Sequence, residues 1–76
     1  MALYAEIEKL DEDDQQVRYL YRDIHGVEQT LLLNKARQTI ARENAPDDML
    51  YRAVAGKIAS AWLDTGAAPD RLIVQS

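Results

Sequence analysis

A chain of 76 residues, 47% hydrophobic and 29% charged, suits one small globular domain over residues 1–76, since two separate cores would each bury too little apolar surface. The absence of cysteine excludes disulfides, thiolate metal sites and cysteine nucleophiles. A net charge of −4 gives no overall attraction to nucleic acid or to anionic lipid.

The opening segment Ala2-Leu3-Tyr4-Ala5-Glu6-Ile7-Glu8 has neither the basic start nor the long apolar run of a signal peptide or membrane span. A cytoplasmic location with no membrane partner is the expectation. Within the segment Leu3, Ala5 and Ile7 alternate with Tyr4, Glu6 and Glu8, the period of a half-buried strand. The acidic run Asp11-Glu12-Asp13-Asp14 is rich in turn formers and poor in strand formers, predicting a hairpin loop outside the ladder. A second strand is predicted from Gln16 to Arg22, with Val17, Tyr19 and Tyr21 on one face and Arg18, Leu20 and Arg22 on the other. Pairing the two strands by their apolar faces sets Glu6 and Glu8 among Arg18 and Arg22.

Ile24-His25-Gly26 breaks the alternation and suits a tight turn, with glycine taking the positive backbone angle. Val27 to Leu33 reads as a third strand. Residues 34–43 allow two readings. Asn34-Lys35-Ala36-Arg37 can form a turn into a short strand from Gln38 to Arg42; equally, Leu32, Ala36 and Ile40 are four apart among good helix formers. The strand is the preferred reading. A helix follows, opening at Asn44-Ala45-Pro46-Asp47, with Asn44 as cap, and ending at Gly66 in the left-handed conformation. Leu50, Tyr51, Val54, Ala55, Ile58, Ala61 and Trp62 form its broad apolar face, which must lie on the sheet. After a turn at Pro69-Asp70, the apolar triplet Leu72-Ile73-Val74 predicts a last strand covered by the helix. The expected fold is α+β: a small antiparallel β-sheet in the order β-β-β-(β)-α-β, with one long amphipathic helix packed on one face.

No pattern in the chain carries catalysis or cofactor binding. The four acids lack the alternating ligands, glycine and closing glutamate of a calcium loop. His25 is the only histidine, and the two serines, Ser60 and Ser76, sit in no nucleophile motif. The glycines at 26, 56 and 66 are too scattered for a phosphate loop. Arg18-Tyr19-Leu20-Tyr21-Arg22 has a composition suited to nucleic acid, but strand alternation separates its tyrosines from its arginines. Lys35, Arg37 and Arg42 are the remaining basic cluster and are matched by acids nearby in sequence.

One feature points toward a partner. On the back of the helix Met49, Ala53, Gly56, Ser60 and Leu63 form a second, narrower stripe where charged residues are usual, and Gly56 costs the helix about 1 kcal/mol relative to alanine. Either the stripe lies against the chain's own loops or is plain surface, or it receives a helix from a second copy or another protein. The expectation is a non-enzymatic protein-interaction module, without cofactor or metal, that pairs with itself or another protein. The rival readings are a ligand site or enzyme built across a dimer with Tyr4, His25, Arg18 or Arg22, and a nucleic-acid regulator using Lys35, Arg37 and Arg42.

Overall fold

The first hairpin follows from alternation. In the computed structural model, which describes residues 3–75, β1 (Tyr4–Glu12) and β2 (Gln16–Asp23) pair antiparallel with Glu6 opposite Arg22 and Ile7 opposite Tyr21. Ala5, Ile7, Val17, Tyr19 and Tyr21 are all buried on one side. The acidic run departs from expectation: Asp11 and Glu12 belong to the ladder, opposite Arg18 and Val17. They stay in it because β1 carries an irregularity between Lys9 and Asp11 and because Glu12 is neutralised by Lys9 at 2.7 Å and Lys35 at 2.6 Å. The turn proper begins at Asp13, whose Oδ1 accepts from the backbone N–H groups of Gln15 and Gln16, both at 2.8 Å, the local bonding that makes aspartate a turn former.

The second turn contains Gly26 at φ 81°, and Asp23 Oδ1 accepts from the N–H groups of His25 and Val27. β3 (Glu28–Asn34) follows, then β4 (Thr39–Arg42), so residues 34–43 form a turn and strand rather than a helix. The connecting turn is closed by Asn34 Oδ1, which accepts from the Arg37 N–H at 2.9 Å, and contains Gln38 at φ 56°. That positive angle stops any helix from running through the segment.

Helix α1 (Met49–Thr65) starts later than Asn44. Its cap is Asp48, in extended conformation, with a carboxylate that accepts from the Tyr51 N–H at 2.8 Å. Asn44 instead turns back to the sheet, where its Oδ1 accepts from the Thr30 N–H at 2.9 Å. The helix ends as expected at Gly66, φ 71°, whose N–H donates to the Trp62 carbonyl at 2.8 Å. Finally β5 (Arg71–Gln75) pairs antiparallel with β1.

The strand order is β4-β3-β2-β1-β5: four strands in a meander, with the helix carrying the chain back to the far side of β1. Tyr51, Val54 and Ile58 of α1 meet Ile7, Tyr19, Tyr21, Leu31, Leu33 and Val74 in the core. Trp62, Leu50 and Ala55 are only partly buried against it. Among the described residues no element lies over the opposite face of the sheet. Ile73 belongs to that face, because it pairs with Glu6; the covered strand expected from Leu72-Ile73-Val74 is an edge strand with only its alternate residues beneath the helix.

Two tyrosines of β2 have different polar environments. Tyr19 Oη donates to the Pro69 carbonyl at 2.7 Å, whereas Tyr21 Oη is buried with no hydrogen-bond partner among the described residues. Burial pushes both phenols up to about 12. Tyr21→Phe should therefore be neutral or stabilising by up to about 1 kcal/mol, since it removes a desolvated hydroxyl and no bond, while Tyr19→Phe should cost about 1 kcal/mol. Urea unfolding of both variants checks the contrast.

Candidate functional site

The helix's outward stripe rises from the capped first turn. Met49 and Leu63 are 65% and 70% exposed, and Gly56 and Ser60 between them are exposed as well. A Cβ added at Gly56 would meet nothing within 4 Å, so among the described residues no loop covers the stripe there. Ala53 departs from the expected set: it leans inward and is partly buried against the core. What remains is a smooth strip about 21 Å long, at 1.5 Å rise per residue, with a large apolar side chain at each end.

The uncovered sheet face is a second surface. Register sets Ile73, Glu6, Arg22 and Glu28 in one row and Arg71, Glu8, Leu20 and Thr30 in the next. Arg22 is paired with Glu28 and Arg18 with Glu43, the latter at 2.9 Å. The Glu28 carboxylate beside it raises the Arg22 guanidinium further above its ordinary value, with Glu6 and Glu8 adding to the effect. Between the strands lies a shallow depression of about 200 Å³ lined by Glu6, Glu8, Leu20, Arg22, Arg71 and Ile73.

Of the residues in the rival readings, Tyr4, His25 and Arg22 lie toward the end of the β1–β2 ladder where Ala5 faces Asp23 and Glu6 faces Arg22, while Arg18 faces Asp11 near the other end. Arg18 and Arg22 are four strand positions apart, about 13 Å. Tyr19 and Tyr21 are fully buried beneath the helix, so they offer no face on which a base could stack. Of the basic cluster, Lys35 is bound to Glu12, Arg37 sits in the β3–β4 turn, and Arg42 pairs with the buried Leu31 and so projects on the helix side. Among the described residues no group of three His, Cys, Asp or Glu side chains could hold a metal ion, and no helix is long and apolar enough to cross a membrane.

The acidic run has a structural role. Lys9 bridges Glu12 and Asp70, the latter at 2.9 Å, and Glu12 in turn holds Lys35. This chain of charges joins β1, the β3–β4 turn and the loop before β5. Hydrogen bonds from Lys35 and Lys9 hold the Glu12 carboxyl below its ordinary value of 4.5, and Glu12, then Asp70, hold the Lys9 ammonium above 10.5. A carboxyl lowered on folding stabilises the fold above its unfolded pKa, and that contribution is lost as the pH falls through the folded value. The Lys9 contribution is present below 10.5 and is lost only at higher pH. The urea midpoint should thus fall as the pH drops below about 4.5, and Glu12→Gln should remove part of that acid limb. An acid limb unchanged in Glu12→Gln would show that other carboxylates carry it.

An α+β domain of one helix on a five-stranded antiparallel sheet is what these elements define. No protein-family model, curated protein or solved structure matches the chain.

Proposed function

We propose that the chain is a non-enzymatic protein-interaction module that presents the outward stripe of α1 to another protein surface. The observation that carries this reading is the open space over Gly56 between the exposed Met49 and Leu63. Packed helix axes lie about 8–10 Å apart, at the near end of that range where the side chains between them are small. The exposed positions 49, 56 and 63 are seven apart, with 60 between the last two, the heptad spacing of a helix-pairing seam. Apolar side chains at both ends of such a seam would supply the area that drives association.

A photoactivatable residue in place of Ser60 tests the reading. On irradiation in cell extract it should give a discrete protein adduct that Gly56→Leu abolishes while the circular dichroism spectrum stays unchanged. No adduct from position 60 would contradict it. A second reading rests on the depression between Glu6, Glu8, Arg22 and Arg71, whose paired charges suit a small zwitterion. Saturable amide shifts at Leu20 and Ile73 on adding a free amino acid would support that alternative.

A further inference from the structure

Among the described residues β5 is an edge strand, with β1 beside it on one side only. Backbone bonding in an antiparallel ladder alternates, so one observed bond fixes the direction of every amide in the strand. Lys9 N–H donates to the Asp70 carbonyl at 2.9 Å, which continues the β1–β5 register, so Asp70, Leu72 and Val74 direct their N–H and C=O groups toward β1. The Asp23 N–H bond to the Val27 carbonyl, on the far side of β2, gives the same phase when carried across the registers of the sheet. Arg71, Ile73 and Gln75 therefore aim their backbone groups outward, away from the sheet.

We infer that two copies of this chain pair antiparallel through β5 about a two-fold axis at Ile73, joining their sheets into one; this rests on the reading of the chain as an interaction module and names its partner. In this register Ile73 faces Ile73 of the second copy and Arg71 faces Gln75. All the outward groups are matched, closing about six hydrogen bonds. On the helix side Leu72 comes opposite Val74, extending the apolar layer across the junction. On the open side the two Ile73 side chains, each 51% exposed in the single chain, cover one another. An axis at Arg71 would set like charges opposite each other, and an axis at Leu72 or Val74 would meet amides already used by β1. An axis at Ile73 centres the pair on the strand and matches every outward group of β5.

The strand has no proline, no bulge and no inward-pointing charge within Arg-Leu-Ile-Val-Gln, and its one charged residue, Arg71, faces Gln75 in the pair. The other edge differs. β4 has four residues, and its outward backbone groups, by the phase of the Glu43 N–H bond to the Thr30 carbonyl, are those of Ile40 and Arg42 alone. Helix α1 packs over β1 and β5, so pairing brings the two helices to the same side of the joined sheet, next to one another. Standard interfaces bury about 800 Å² per partner, roughly a sixth of this chain's 4965 Å² surface. A short strand covers less than that alone, which sets the pair among weak dimers.

Amide hydrogen exchange by NMR, from about 20 µM to about 1 mM, tests the inference. Leu72 and Val74 should be protected at every concentration. Arg71, Ile73 and Gln75 should gain protection of about tenfold or more as concentration rises. Ile73→Pro removes an outward N–H that the single chain does not use, in a position where edge strands accept proline. Ile73→Lys places charge against charge at the axis. Each should keep the fold and abolish the gain, and Ile73→Lys decides the matter if the proline variant unfolds. Unprotected amides at 71, 73 and 75 at all concentrations would overturn the inference, as would a gain that survives in Ile73→Lys. A gain confined to α1 would overturn it too, yet leave the interaction reading standing; that reading fails separately, by the absence of any adduct from position 60.

Discussion

Tyr19→Ala should cost about 4 kcal/mol and leave the chain largely unfolded at 25 °C. The ring is completely buried in the strand at the centre of the sheet, between Lys9 of β1 and Leu31 of β3. Truncating a buried aromatic removes its transfer free energy and leaves a cavity, about 3–5 kcal/mol together. The lost bond to the Pro69 carbonyl, 2.7 Å long, adds to this by releasing the loop that leads into β5. A domain of this length holds only about 4–11 kcal/mol in total, at 0.05–0.15 kcal/mol per residue. The comparison with Tyr19→Phe separates the two causes, because phenylalanine keeps the packing and gives up only the bond. Full stability in Tyr19→Ala would mean that β2 presents its other face to the helix.

Ile58→Ala should cost about 3 kcal/mol, whereas Gly56→Ala, two residues earlier, should stabilise by about 1 kcal/mol. Ile58 is fully buried against the sheet, and the methyl group added at Gly56 meets only open space. Rotation of the helix by about 100° per residue buries Ile58 and leaves position 56 open, where only the higher helix propensity of alanine is felt. Thermal or urea unfolding of the pair therefore measures which way α1 faces. Equal losses at both positions would contradict the outward placement of the stripe.

These effects are largely legible in the sequence, because alternation in β1 and β2 and the 3.6-residue period of α1 each bury one clear set of side chains. Trp62 shows the limit of the period. It lies on the correct face but near the helix C-terminus, where it is only partly buried, so its truncation should cost less than that of Ile58. Cap identity was less legible: Asn44, Asp47 and Asp48 all suit the position, and the choice depends on Asn44 being drawn to the Thr30 amide, a contact between residues fourteen apart. The acidic run misled for a similar reason. Strand propensity argues against Asp11 and Glu12 in a ladder, but Lys9 of the same strand and Lys35 of the β3–β4 turn neutralise Glu12 there. For the last strand, an apolar triplet reads alike whether it is covered on both sides or on one. The register with β1, which sets Ile73 beside Glu6, is what exposes it, and that register is a tertiary fact.

The helix stripe was visible as a pattern because small residues replace charges there; the β5 edge was not, since it depends on backbone phase rather than on side-chain type. Both surfaces lie outside the core, and the joined sheet would bring them to one side of an assembly. Sedimentation of the unmodified chain from about 20 µM to about 1 mM tests this account most directly. The expected result is a mass that rises from 8.6 kDa toward twice that value as concentration increases. A mass that stays at 8.6 kDa throughout would contradict pairing between copies.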